Sequence, residues 1–164
     1  MGAKKNSKTF AAGKIKILIV DDHPVIRDGL MQIINHQADL LVCAEAGNLG
    51  EAVKSVKKQK IDVALVDMLL DHTTGIQVIK KITTLCPDII TLLFSISDKS
   101  QYIRQAIRAG ARGYITKDEI SEEIVNAIRK ILKGQIYISR GLLKNLPKKE
   151  VNSLLTGRVQ NSCN

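Results

Sequence analysis

A chain of 164 residues is one domain with tails, long enough to bury a core without disulfide or metal staples. Its hydrophobic fraction of 45% is ordinary for a globular protein, and no apolar run approaches the roughly 18 residues that a membrane-spanning helix needs. The formal charge of +9 invites a nucleic-acid reading, but +4 of it lies in residues 1–14 and +3 in residues 141–164, so the middle of the chain is nearly balanced and shows neither a basic helix with interleaved aromatics nor zinc-finger spacing.

Residues 1–14 read as a basic, flexible N-terminal tail. The apolar stretch that follows is short and runs into two aspartates, unlike a signal peptide. From there the chain alternates strand and helix five times. Ile15 to Val20 is an apolar, β-branched run of the buried-strand type. Pro24 suits the first turn of a helix whose apolar face is Val25, Ile26, Leu30, Ile33 and Ile34. "LLVCAEA" is a second strand, and Asn48 with Glu51 three residues on makes a capping-box pattern for a helix that buries Ala52, Val53 and Val56. Asp62 to Val66 is the third strand. Gly75 opens a helix with Ile76, Ile79, Ile82 and Leu85 at helical spacing, and Pro87 stands beyond its end.

Ile89 to Phe94 is the fourth strand, followed by a helix from Lys99 to Ala109 that stops at Gly110. "RGYIT" is a short fifth strand, and the last helix runs from Ser121, as its cap, to Lys133. Beyond Ser139 the periodicity decays, with a short helix expected around Leu142 to Asn145 or Lys149 to Leu155. Buried strands joined by helices of this length imply a doubly wound, five-stranded parallel sheet, for which 2-1-3-4-5 is the common order. The three cysteines, Cys43, Cys86 and Cys163, lack metal spacing, and two lie in apolar contexts, as in a reduced cytoplasmic protein.

That order brings scattered residues to one edge. Asp21 and Asp22 close the first strand, Asp67 the third and Ser95 the fourth, and Lys117 follows the fifth. With neighbouring strands about 4.8 Å apart, the three carboxylates crowd. Two charges about 4 Å apart at an effective dielectric near 20 repel by roughly 4 kcal/mol. A hard divalent cation such as Mg²⁺ removes that repulsion and leaves room for phosphate oxygens. A carboxylate beside it can attack phosphorus to form an acyl phosphate, while the metal and Lys117 neutralise the phosphoryl oxygens and Ser95 offers a hydroxyl. Adjacent acids do not match the D-x-D arrangement of the haloacid-dehalogenase phosphohydrolases, and "DDHPV" lacks the glycines of a dinucleotide-binding turn. His23 reads as a shaper of its loop, His36 and His72 as solvated, and Gly110 and Gly113 as a helix stop and a strand entry.

The segments "ILIVDDHPVIRDGL", "DVALVDMLLDHTTGIQVI", "LLFSISD" and "AIRAGARGYITKD" resemble, in order and spacing, the receiver domain of bacterial two-component response regulators. "DDHP" and "GARGYITKD" resemble the NarL/FixJ/LuxR-type subfamily, whose members carry a C-terminal LuxR-type helix-turn-helix. The resemblance implies a flavodoxin-like (CheY-like) three-layer sandwich over residues 15–138, with 139–164 a linker-like tail lacking the helix-turn-helix. It implies that Asp67 accepts a phosphoryl group from a sensor histidine kinase with Mg²⁺. By position it assigns Asp21, Asp22, Asp67 and the backbone carbonyl of Leu69 to the metal, and Ser95, Lys117 and Tyr114 to phosphate binding and the switch. A switching protein-interaction face, with a homodimer as one arrangement, would control transcription through a DNA-binding domain not in this chain. The other readings are a receiver that acts by protein contacts alone and, ranked below it, a Mg²⁺-dependent phosphohydrolase. As a receiver of either kind the chain is no enzyme beyond its own phosphoryl transfer and dephosphorylation. Asp71 departs from the family pattern, standing where proline is usual; Asp118 stands where many receivers have proline, which the resembled subfamily often lacks.

Overall fold

The protein is described by a computed structural model over residues 13–156. The basic N-terminal tail up to residue 12 and the last residues from 157, Cys163 among them, lie outside the described residues. The main sheet has six strands: β1 (Ile15–Val20), β2 (Leu40–Ala46), β3 (Val63–Asp67), β6 (Ile90–Ser95), β7 (Gly113–Thr116) and β8 (Tyr137–Ile138). Their order is β2-β1-β3-β6-β7-β8, and every pairing is parallel. This is the expected 2-1-3-4-5 order with a short sixth strand added at one edge. Two residues carry too little pattern to announce a strand, but Tyr137 N–H donates to Arg112 and Ser139 N–H to Tyr114, which closes the edge of β7.

Alternation along each strand divides the core between two helical layers. Ile17 and Ile19 pack in one cluster with Leu30 and Ile34 of α1 (Pro24–Asn35) and Ile124 and Ile128 of α5 (Ile120–Leu132). Leu18 and Val20 face the other way, in a cluster with Ala52 and Val56 of α2 (Leu49–Lys58), Ile79 and Ile82 of α3 (Gly75–Leu85), and Ile103 and Ala106 of α4 (Ser100–Arg108). β3 is buried at every position, as a central strand covered on both faces must be. No helix among the described residues is long and apolar enough to cross a membrane.

Several expectations change in detail. Val25, at 81% exposure, and Ile26 do not join the apolar face of α1. They sit in its first turn, at the rim of the sheet, so only Leu30 and Ile34 farther along are fully buried. The Asn48 side chain caps α2 by accepting the Glu51 N–H at 2.9 Å, but the Glu51 carboxylate reaches back to the N–H of Gly47 rather than Asn48. Helix α5 begins at buried Ile120, one residue before the expected cap Ser121, and no side chain caps it. Between β3 and α3 the chain forms a hairpin of β4 (Leu69–Leu70) and β5 (Thr73–Thr74), turned by Asp71 and His72, where φ of His72 is +66°. After β8 come α6 (Arg140–Leu143) and α7 (Lys148–Leu155), whose Leu142 and Leu154 join the core.

Candidate functional site

Strands β1, β3, β6 and β7 end together on one edge of the sheet. The register runs Val20 to Val66 and Asp67 to Phe94, so Asp21 and Asp67 lie on adjacent strand ends with Ser95 one step beyond. Asp21 and Asp67 are almost fully buried, while Asp22 is partly open. The Lys117 ammonium stands 3.0 Å from Asp67 Oδ2 and 3.9 Å from Asp21 Oδ2, above the Phe94 ring at 5.6 Å. The N–H of Lys117 donates to the Ser95 carbonyl at 2.8 Å, which ties the loop after β7 to the end of β6. Thus the residues expected from Asp21 to Lys117 do converge on one crevice.

The acids are held but not saturated. Asp21 Oδ1 accepts the His23 backbone N–H at 2.8 Å, and His23 Nδ1 lies 3.0 Å from it and 2.9 Å from Asp22 Oδ1. The hydrogen bond to Asp21 and the charge of Asp22 push the His23 pKa above its ordinary value. Asp21 Oδ2 and Asp22 Oδ1 are buried without a hydrogen bond; each has an ion-pair contact instead, with Lys117 Nζ at 3.9 Å and His23 Nδ1 at 2.9 Å. Burial is the main reason that the Asp67 carboxyl rises to about 6; the Asp21 charge adds to the rise, while Lys117 opposes it. Ligand atoms from Asp21, Asp22, His23 and Asp67 all lie within 4.8 Å of one another. Oxygen donors of this kind, two of them orphaned, fit a hard divalent cation, which would satisfy them and offset their repulsion.

Leu69, at 60% exposure, lies in the hairpin beside Asp67, and its N–H donates to Asp67 Oδ1 at 3.3 Å. Asp71 contributes through its backbone: its N–H donates to Asp22 Oδ2 at 3.2 Å. Proline at this position would have no such donor. Ser95 Oγ accepts the Ser97 N–H at 3.0 Å, and the carbonyl of Ser97 accepts the Tyr114 hydroxyl at 2.8 Å. Ser95 and the fully buried ring of Tyr114 are therefore linked through one residue of the β6–α4 loop. Burial raises the Tyr114 phenol above its ordinary value.

Two residues that the sequence did not single out for the site also shape it. At Gly75 a Cβ would stand 2.2 Å from the Asp67 carbonyl and 2.7 Å from Leu93 Cδ1, so only glycine lets α3 start against the strand end. Its signal was a glycine at the start of a helix rather than at its stop. Arg27 reaches from α1 to the backbone carbonyl of Asp21. No spacing rule flags an arginine in the first turn of a helix.

Comparison with known proteins agrees with this architecture. The family pattern described as the response regulator receiver domain matches residues 17–129. The chain is 35% identical over 122 residues to the uncharacterized transcriptional regulatory protein YxjL of Bacillus subtilis, covering 74% of this chain and 56% of that protein. It is 32% identical over 149 residues to the oxygen regulatory protein NreC of Staphylococcus epidermidis, covering 90% of this chain and 68% of that one. The chain thus spans little more than half of the first of these curated relatives and about two thirds of the second. Among solved structures, a LuxR-family two-component response regulator from an Aurantimonas species superposes with a TM-score of 0.79 at 30% identity, over 85% of this chain and 99% of that one. The signal receiver domain of the response regulator NarL from Mycobacterium tuberculosis gives 0.70 at 30% identity, over 74% and 98%.

Proposed function

The chain belongs to the response regulator receiver family, in its LuxR-type branch, and from that premise we propose that Asp67 is the phosphoacceptor of a signalling switch served by a sensor histidine kinase and Mg²⁺. The observation that carries this reading is the Lys117 ammonium 3.0 Å from Asp67 Oδ2, beside the orphaned oxygens of Asp21 and Asp22.

When bound, the metal supplies positive charge for the carboxylates and for the phosphoryl oxygens. Asp21, Asp22 and Asp67 would hold it, with the Leu69 carbonyl as a further donor. An Asp67 carboxylate oxygen attacks the phosphorus of a phosphohistidine. The new O–P bond forms as the P–N bond breaks, and the bonding pair returns to the imidazole nitrogen. Lys117 offsets the charge of the transferring group, whose stabilisation is most of the catalysis in phosphoryl transfer. The acyl phosphate adds about −1.5 to −2 charges. Drawing the Ser95 hydroxyl toward it breaks the bond from Ser97 N–H. Ser97 also carries the carbonyl that holds Tyr114, so the change reaches α4 and β7 as a population shift. The partner face, a homodimer among its arrangements, and control of transcription through a DNA-binding domain outside this chain are parts of the same proposal; the similarity to the transcriptional regulatory protein YxjL supports the last of them.

Beryllofluoride, which mimics an aspartyl phosphate, tests the reading by ¹⁹F NMR. The wild-type chain gives a bound signal with Mg²⁺, and chelation of the metal or Asp67→Asn abolishes it. A wild type as silent as Asp67→Asn would refute the proposal.

A further inference from the structure

We propose that Arg27 is a positioning residue for the metal-binding acids, acting through the peptide unit that joins Asp21 to Asp22. The inference rests on the reading of this crevice as a receiver site.

Asp21 is the last residue of its chain segment tied to the sheet: its N–H donates to the Ala46 carbonyl at 2.9 Å. The pairing of β1 with β2 ends at Val20 and Ala46, so the carbonyl of Asp21 has no strand donor. It takes Arg27 Nη1 instead, at 2.5 Å. Arg27 Nε donates to Glu45 Oε1 on β2 at 3.3 Å, which anchors the guanidinium to the neighbouring strand. The β2–α2 turn leaves room for this group. A Cβ at Gly47 would lie 3.7 Å from Nη1, and the Glu51 carboxylate holds the Gly47 N–H at 2.7 Å.

The Asp21 carbonyl belongs to the planar peptide unit between the two acids. Rotating that plane turns the Cα–Cβ direction of Asp22 and the backbone of Asp21 together. Fixing the carbonyl therefore fixes how the two carboxylates face each other, with Asp21 Oδ2 and Asp22 Oδ1 buried and free of hydrogen bonds. Arginine suits the task because its planar fork serves the carbonyl and Glu45 at once, whereas a lysine ammonium is a point donor on a flexible stem. The plain alternative is that Arg27 and Glu45 form a surface ion pair with no bearing on the metal.

Calorimetric titration of Mg²⁺ into the full chain separates the two. Supporting groups behind metal ligands typically govern affinity by 10- to 100-fold. Acting through one peptide plane, Arg27→Gln is expected to weaken Mg²⁺ about tenfold. Arg27→Lys should weaken it less, and Glu45→Gln, which frees Nε alone, less still but measurably. Beryllofluoride binding should recover at high Mg²⁺, since Asp67 and Lys117 are untouched. Mg²⁺ affinity in Arg27→Gln within twofold of wild type overturns the role of Arg27. Should Arg27→Gln fail to fold, wild-type affinity in both Arg27→Lys and Glu45→Gln overturns it equally. A wild type that binds neither Mg²⁺ nor beryllofluoride overturns the receiver reading beneath it.

Discussion

Burying a carboxylate at the end of the central strand has a thermodynamic signature. The Asp67 carboxyl rises to about 6 from an ordinary 3.8, chiefly through burial. Between those values the folded state holds a proton that the unfolded state has released, so stability falls as pH rises through the window. The full shift corresponds to roughly 3 kcal/mol at most. Metal-free Asp67→Asn is therefore expected to be more stable than wild type at pH 7, with the gap closing toward pH 4, as urea unfolding would measure. Adding Mg²⁺ at pH 7 should restore wild type by mass action, and Asp67→Asn less. Asp21, Asp22, Asp67, Ser95 and Lys117 were legible because each sits at or just past a strand end, and strand ends follow from apolar runs. Arg27 and Gly75 were not, because their roles depend on where a carbonyl of another segment lies. Asp71 shows the limit in a third way: sequence marks it as an acid in place of proline, but its contribution is the backbone N–H that donates to Asp22.

At the level of elements, long periodic segments read well and two-residue ones did not. The bounds of β1, β2 and α1 follow from their apolar runs and from Pro24. The β4–β5 hairpin and β8 escaped because a strand of two residues has no period; each is made by its partner. The segment after β8 was expected as a linker-like tail with a short helix. Its α7 has only eight residues, too few to persist alone in water. Docking must hold it, through buried Leu154 and the ion pair of Glu150 with Arg104 on α4. Leu154→Ala should cost about 2–5 kcal/mol of that docking. Hydrogen exchange should then accelerate across 148–155 while β1, β3 and β6 stay protected. Unchanged protection of α7 would mean that Leu154 does not hold it.

Over the whole molecule, one topological fact produces the site. A parallel sheet puts all its strand ends on one edge, and the order β2-β1-β3-β6-β7 sets β1, β3, β6 and β7 side by side there. Acids at positions 21, 22 and 67, a hydroxyl at 95 and an ammonium at 117 then share one crevice, although nearly a hundred residues separate the first from the last. The net charge of +9, by contrast, says little about this site, because most of it lies toward the chain ends. The proposed function requires that the crevice make a covalent acyl phosphate at one aspartate. Incubation with Mg²⁺ and acetyl phosphate, borohydride reduction of any acyl phosphate, and peptide mass spectrometry test it directly. Reduction is expected at Asp67 alone, dependent on Mg²⁺ and absent in Asp67→Asn; no modified aspartate, or modification elsewhere with Asp67 intact, would overturn the assignment of Asp67.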